Sequence, residues 1–219
     1  MQDSWIILED KGFIVINKPA TLGVQPDKTG DDNLFDQVKA HANRPIELIN
    51  RLDRPASGLV MYSKRDAVTA HLNAQFKRRQ VNKTYLAVVK NKPPQSEGKL
   101  IHHIRKDEKK NRAFAFNKKL HHTKTAILKY RLLGSIENYH LLEIELITGR
   151  HHQIRVQLAA INCPIKGDVK YGARRGNRDR SIHLHAWKMA FTHPKTKARI
   201  EVEAPIPDET VWQAFDFFQ

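Results

Sequence analysis

Two neighbouring runs decide how this chain folds: TAILKYRLL at residues 125–133 and YHLLEIELI at residues 139–147. Both mix β-branched and aromatic residues with leucines, and the gap of residues 134–138 holds a turn but no crossover helix. The pattern continues upstream, with strands predicted over residues 84–89, 99–104 and 112–116. The N-terminus reads as a hairpin of residues 5–8 and 13–17 around Asp10-Lys11-Gly12. Lys18-Pro19 stops it, and Gly23, Pro26 and Gly30 keep the next segment in loop. A helix is predicted over residues 33–41, then a compact strand over 59–62. Ser63 with Asp66 forms an N-cap pair for a helix whose Val68, Leu72 and Phe76 recur every four residues, ending at Lys77-Arg78-Arg79. Downstream, Thr148-Gly149 opens a helix with Ile154, Leu158 and Ile161 as its apolar stripe. A hairpin of residues 184–191 and 199–204 follows, turning at His193-Pro194-Lys195. A closing helix after Pro207-Asp208 is expected to bury Val211, Phe215 and Phe218, with Trp212 beside them. Consecutive strands with short turns and few helices give α+β, a mixed, mainly antiparallel sheet with flanking helices. Neither a repeat nor a linker interrupts residues 1–219, so one domain is expected.

Charge narrows the function. Thirty-eight Lys and Arg oppose 23 Asp and Glu over 219 residues, a formal charge of +15, and the sequence pI is near 10.0. Cations placed on phosphates release condensed counterions, so nucleic acid is the expected partner. The densest stretch runs over residues 104–124, with Arg105, Lys106, Lys109, Lys110, Arg112, Lys118, Lys119 and Lys124; Arg174, Arg175, Arg178 and Arg180 form a second cluster. The basic residues are spread along the chain rather than gathered on one amphipathic helix, and no run nears the roughly 20 apolar residues that span a bilayer, so membrane association is not expected. A lone Cys163 excludes a disulfide framework. Residues 1–10 lack the basic start and apolar run of a signal peptide. A cytoplasmic monomer is expected.

Asn50-Arg51-Leu52-Asp53-Arg54-Pro55-Ala56-Ser57-Gly58 sets one carboxylate between two arginines, just before an apolar strand. Flanking positive charge favours the ionised form, which suits a nucleophile or a fixed negative charge better than a proton donor. A solvated surface charge run reads equally well from these residues alone. Tyr85 alternates with Thr84 and Leu86, as a residue packed on one sheet face would. The pairs His102-His103, His121-His122 and His151-His152 invite a metal, but neighbours on a strand point to opposite faces and no ligand spacing accompanies them. Cys163, at an apolar helix end before Pro164, reads as structural.

Further motifs follow in order. Asn17-Lys18-Pro19-Ala20 precedes Arg51-Leu52-Asp53-Arg54, and Lys83-Thr84-Tyr85-Leu86-Ala87-Val88 comes next. Then come Thr148-Gly149-Arg150 with His152-Gln153-Ile154-Arg155-Val156, Pro164-Ile165-Lys166-Gly167-Asp168 with Tyr171-Gly172, Leu184-His185-Ala186 and His193-Pro194. In order and spacing the series resembles the RluA-like family of RNA pseudouridine synthases, from about residue 5 to about residue 207. The resemblance implies isomerisation of uridine to pseudouridine in tRNA or rRNA, with no metal and no organic cofactor, on a mixed sheet with a central basic cleft. It puts the catalytic aspartate on Asp53, the active-site tyrosine on Tyr85 and the aspartate's ionic partner on Arg155. Lys18, Arg51, Arg54, Arg150, His152 and Gln153 are then the expected substrate-binding residues. The sequence departs from the family at Asn50, where a histidine is usual, at Ala56 and His151, where threonines are usual, at Gln157, where a histidine is usual, and at Thr21, where a glycine is common. These departures bear on substrate preference. The pattern starts within the first residues and leaves no room for the N-terminal S4-type domain of many relatives. Flipping a stacked uridine out costs a few kcal/mol, which basic side chains on the flanking phosphates offset. Two other readings compete: an RNA chaperone of the same fold with secondary or no catalysis, and a histidine-based metal-dependent RNA phosphodiesterase.

Overall fold

The computed structural model describes residues 1–27 and 30–218, for Phe218 without its side chain. In chain order the first elements are β1 (Ile6–Glu9), β2 (Phe13–Lys18), α1 (Leu34–Ala42), β3 (Glu47–Leu48), β4 (Ser57–Ser63) and α2 (Asp66–Lys77). Then follow β5 (Asn82–Val89), β6 (Glu97–Asp107), β7 (Arg112–Phe116), β8 (Lys124–Ile136) and β9 (Tyr139–Leu146). The chain closes with α3 (Gln153–Ala160), β10 (Leu184–Thr192), β11 (Arg199–Glu203) and α4 (Thr210–Gln213). The architecture is α+β and mainly antiparallel, as expected. Packing divides it into two compact units, Met1–Lys83 with His185–Ile206, and Thr84–Leu184 with Pro207–Gln219.

In the first unit the strands run β1-β2-β4-β10, with β3 on β4 and β11 on β10. Phe13 to Ile16 of β2 are all buried, because both faces of this strand are covered, and Phe13 meets Phe191 edge-on at 5.4 Å. Asn33 caps α1 by accepting from the Asp36 N–H at 3.0 Å, and Asn43 closes it in the left-handed region at φ 48°. The α2 cap differs from expectation. Arg65 occupies the N-cap, and Ser63 ends β4 with its hydroxyl on Thr69 Oγ1. The helix buries Thr69, Leu72 and Gln75, leaving Val68 and Phe76 half-buried. Gln75 tolerates burial because its amide both donates to and accepts from the Thr192 backbone, at 2.7 and 2.8 Å.

The second unit is an antiparallel sheet in the order β5-β9-β8-β6-β7, with β9 and β8 inserted between β5 and the β6–β7 hairpin. Burial along β8 alternates, Ala126, Leu128 and Tyr130 facing in. On its outer face Lys129 and Arg131 pair with Glu145 and Glu143, their direct register partners on β9. The predicted stripe on α3 understates its burial: residues 153–158 are all buried, polar ones included. Ile104, Ala113, Ala126, Val156 and Tyr171 make one apolar cluster under this helix. The predicted closing helix is only the four residues of α4, within which Trp212 is buried, and Phe215 is buried beyond it. Val211 is half-buried, and the Phe218 side chain lies outside the described residues. No helix of the described residues is long and apolar enough to cross a membrane.

Candidate active site

Asp53 sits half-buried in the loop that feeds β4. Its carbonyl accepts from the Ala56 N–H at 3.0 Å, closing a tight turn that Pro55 stiffens. Buried Asn50 fastens the loop to β4, its Oδ1 accepting from Met61 N at 2.8 Å and its Nδ2 donating to Leu59 O at 3.4 Å. After the turn, Gly58 takes φ +109°, and a Cβ there would stand 2.3 Å from the Ala186 carbonyl oxygen. Only glycine allows β4 to close on β10, which runs parallel to it with Ser57 opposite His185 and Gly58 opposite Ala186. Ser57 Oγ lies 2.8 Å from His185 Nδ1. Burial pushes the His185 imidazole down to about 4, so it stays neutral at physiological pH.

Behind the loop lies Lys18. Its side chain is 0% exposed, and its ammonium donates to the carbonyls of Pro19, Leu22 and Arg54 at 2.8, 2.9 and 3.2 Å. Burial drives its pKa down to about 7, against the pull of the Asp53 charge and with the push of Arg54. The sequence places Lys18 among the substrate-binding residues; the structure leaves it no surface for RNA and makes it the cation beneath the Asp53 loop. Arg54 reaches Asp31 at 2.8 Å and Asp27 at 3.4 Å, clamping these acids to the loop while staying about 39% exposed. Arg51 is exposed.

The remaining expected site residues belong to the second unit. Arg155, on α3, forms a bidentate ion pair with Asp168, Nε to Oδ2 at 2.7 Å and Nη2 to Oδ1 at 2.8 Å. The side chains are 5% and 1% exposed. Asp168, the last residue of the motif Pro164-Ile165-Lys166-Gly167-Asp168, is the partner of Arg155 to which the sequence alone assigns no role. Gly167 was the available signal: at φ +87° a Cβ would meet the Ser181 carbonyl at 2.7 Å, so that turn is built for glycine. The Tyr171 ring lies 5.0 Å from the Arg155 guanidinium, and its hydroxyl accepts from Ala113 N at 2.7 Å. His152 Nδ1 is 2.8 Å from the same hydroxyl.

Gln153 acts as a lock at the entry to α3. Its Oε1 accepts from Thr148 Oγ1 at 2.8 Å and Arg150 N at 2.9 Å, while its Nε2 donates to Ile127 O at 3.1 Å. His152 is buried too, and Arg150, half-buried, donates through Nε to Thr125 O at 3.0 Å. Of these three expected substrate contacts only Arg150 presents appreciable surface. Tyr85 is 6% exposed, opposite Ile144 of β9.

The histidine pairs do not all behave as strand neighbours. His121 with His122, and His151 with His152, sit in turns with ring centroids 3.7 Å apart. Among the described residues no three His, Cys, Asp or Glu side chains gather to hold a metal ion. Cys163 is buried, and burial pushes its thiol up to about 11, so it is unreactive at neutral pH.

Lys18 yields a prediction with a definite sign. Unfolded, it holds its proton up to its ordinary 10.5; folded, it gives the proton up near 7. Between those values the unfolded state binds more protons, so the penalty for burying the charge is complete below pH 7 and lifts toward pH 10.5. The stability of the wild type relative to Lys18→Met should therefore rise from pH 7 to pH 10 in urea unfolding. Parallel profiles for the two proteins would refute this.

Comparison with known proteins places this architecture. A family model described as RNA pseudouridylate synthase matches residues 12–160. The uncharacterized RNA pseudouridine synthase YlyB of Bacillus subtilis is 32% identical over 216 residues, covering 93% of this chain and 69% of the relative. The ribosomal large subunit pseudouridine synthase C of Rickettsia felis is 32% identical over 211 residues, covering 93% and 68%. Among solved structures, human RNA pseudouridylate synthase domain containing 1 superposes with a TM-score of 0.78 at 24% identity, over 94% of this chain and 85% of that one. That likeness shows the fold; the sequence relatives show more. On them, and on the family match over most of its length, this chain belongs to the RluA-like family of RNA pseudouridine synthases, a family of isomerases.

Proposed function

We infer that this chain isomerises specific uridines of tRNA or rRNA to pseudouridine, with Asp53 as the catalytic carboxylate. The observation that carries the reading is the construction beneath Asp53: a buried lysine, a buried asparagine and an obligatory glycine hold one half-buried carboxylate at the mouth of a strand. Relatives named for the large ribosomal subunit favour rRNA. Arg155 is assigned as the ionic partner of Asp53, in addition to its pair with Asp168, and Tyr85 is assigned to the base. Arg51 and Arg54 are assigned to holding the loop or the extruded backbone. The two units serve as one catalytic domain, and a chain whose one cysteine is buried and unreactive suits the cytoplasm.

The chemistry balances without a co-reactant. The bond from C1′ to uracil N1 breaks, the base turns, and C1′ bonds to C5; the C5 proton leaves and N1 gains one. An ionised carboxylate attacks C1′ or C6, or offsets charge on the sugar while the base is detached. Mapping pseudouridines in total RNA from cells with and without this gene tests the reading. Loss of one or a few sites, restored by the wild-type chain, is the expected result. Identical maps, together with no product from purified protein on rRNA and tRNA transcripts, would overturn it.

A further inference from the structure

A second basic feature of the first unit lies away from the Asp53 loop. The C-terminal end of α2 and the β10–β11 hairpin enclose a cleft of about 590 Å³, lined among others by His71, Gln75, Arg78, Asn82, Lys197 and Arg199. The two segments that form it, residues 71–83 and 192–199, carry seven Lys or Arg and no Asp or Glu. Such a surface, rich in cations and hydrogen-bond donors and free of acids, fits phosphates rather than an apolar ligand or an amphipathic peptide.

The cleft is also built. Buried Gln75 ties α2 to the end of β10 through both hydrogen bonds to Thr192. The Arg199 guanidinium donates to Gln80 O at 3.2 Å and to Asn82 Oδ1, so its plane is fixed while other donors of the fork remain. The last carbonyls of α2 already accept from the N–H groups of Arg78, Arg79 and Gln80, which blunts the negative end of the helix. Arg78 and Lys197 are both exposed.

Its position follows from strand register. Ser57, just past the Asp53 loop, faces His185 at the start of β10, and the cleft lies at Thr192, seven residues on. At ~3.3 Å per residue the separation is about 23 Å. We propose that this cleft is a second docking site for RNA, binding backbone phosphates of the substrate about 23 Å along the strand from the end that carries the Asp53 loop. The proposal rests on RNA being the substrate, and it separates holding the RNA body from handling the flipped base.

The test uses a 24-nucleotide oligouridine containing 4-thiouridine, with binding measured against salt and crosslinked peptides identified by mass. The Arg78→Gln/Lys197→Gln pair should lower the slope of log affinity against log salt by roughly 1.4, at ~0.7 per phosphate contact on a single strand. It should also lose crosslinks to residues 71–83 and 192–199. Arg78→Lys keeps the charge and should keep both, and Lys39→Gln/Arg44→Gln, which removes two charges from α1 and the turn after it, should leave the cleft crosslinks intact. An unchanged slope, or wild-type protein without cleft crosslinks, would overturn the proposal. So would displacement of the RNA from the cleft by poly-glutamate of equal charge, which would make the cleft an acidic-protein site. Pseudouridine formation is scored separately, so failure of the cleft and failure of the isomerase reading are told apart.

Discussion

Asp53→Asn should bring pseudouridine formation down by at least a thousandfold, about 4 kcal/mol of barrier, while RNA affinity changes little. Asparagine keeps the size and most of the hydrogen bonding of the side chain, so the turn closed by the Asp53 carbonyl and Ala56 N–H survives. What it removes is the negative charge, the one property that nucleophilic attack and charge stabilisation at the sugar share. Affinity resides mainly in phosphate contacts and so should persist. The substitution also acts on Lys18. The Asp53 charge works against burial in setting the Lys18 pKa near 7, so its removal should drop that value further. Lys18 then loses its proton at neutral pH, which spares the variant a buried unpaired cation. A folded, RNA-binding, inactive variant is the expected result, with deamidation back to aspartate excluded by mass. Wild-type single-turnover rates in that variant would remove Asp53 from the reaction.

Local patterning was readable wherever neighbours in sequence settle the structure. The strand at Arg112–Phe116 lies where the sequence puts it, and α1 at Leu34–Ala42 falls within one residue of the predicted 33–41, because the patterns that set such elements act over a few residues. Readings went astray where a polar side chain finds a distant partner. Ser63 reads as a helix cap, yet its hydroxyl meets Thr69 Oγ1, and the apolar stripe of α2 gives no sign that Gln75 is buried against Thr192. On α3, Gln153, Arg155 and Gln157 break the apolar stripe on paper. In the structure they are buried, with partners at Ile127, Asp168 and His102. Lys18 belongs to the same class: motif order marks it, but only the folded loop shows three carbonyls converging on its ammonium. The distal cleft is not legible in the sequence because its two cationic runs stand more than a hundred residues apart, each sparser than the clusters at residues 104–124 and 174–180.

The pair Arg155–Asp168 should be the most expensive interaction of the second unit to break from one side. Removing one partner of a buried ion pair costs about 3–5 kcal/mol, because the other is left in a medium that solvates it poorly. The two partners are not equivalent. A lone buried carboxyl escapes by taking a proton, but a guanidinium stays charged at any accessible pH. Asp168→Ala should therefore destabilise more than Arg155→Ala, and the gap between them should widen as pH falls toward the carboxylate range. Asp168→Asn keeps the shape and one acceptor but forfeits the parallel charge-assisted bonds of 2.7 and 2.8 Å, so it should fall between wild type and Asp168→Ala. The guanidinium also lies over the Tyr171 ring, whose hydroxyl receives the Ala113 N–H, so a tilt of Arg155 is passed to β7 and to His152. If Arg155 also serves Asp53, Asp168→Asn should lower the single-turnover rate at saturating RNA with little change in the RNA dissociation constant. Arg155→Lys should do the same, since an ammonium cannot reproduce the two-pronged geometry. Urea unfolding at pH 5 and pH 8 with single-turnover kinetics on the same variants separates stability from catalysis. Equal stabilities for Asp168→Ala and wild type would show that this buried pair is replaceable, and a full rate in Asp168→Asn would show that the reaction does not depend on how Arg155 is held.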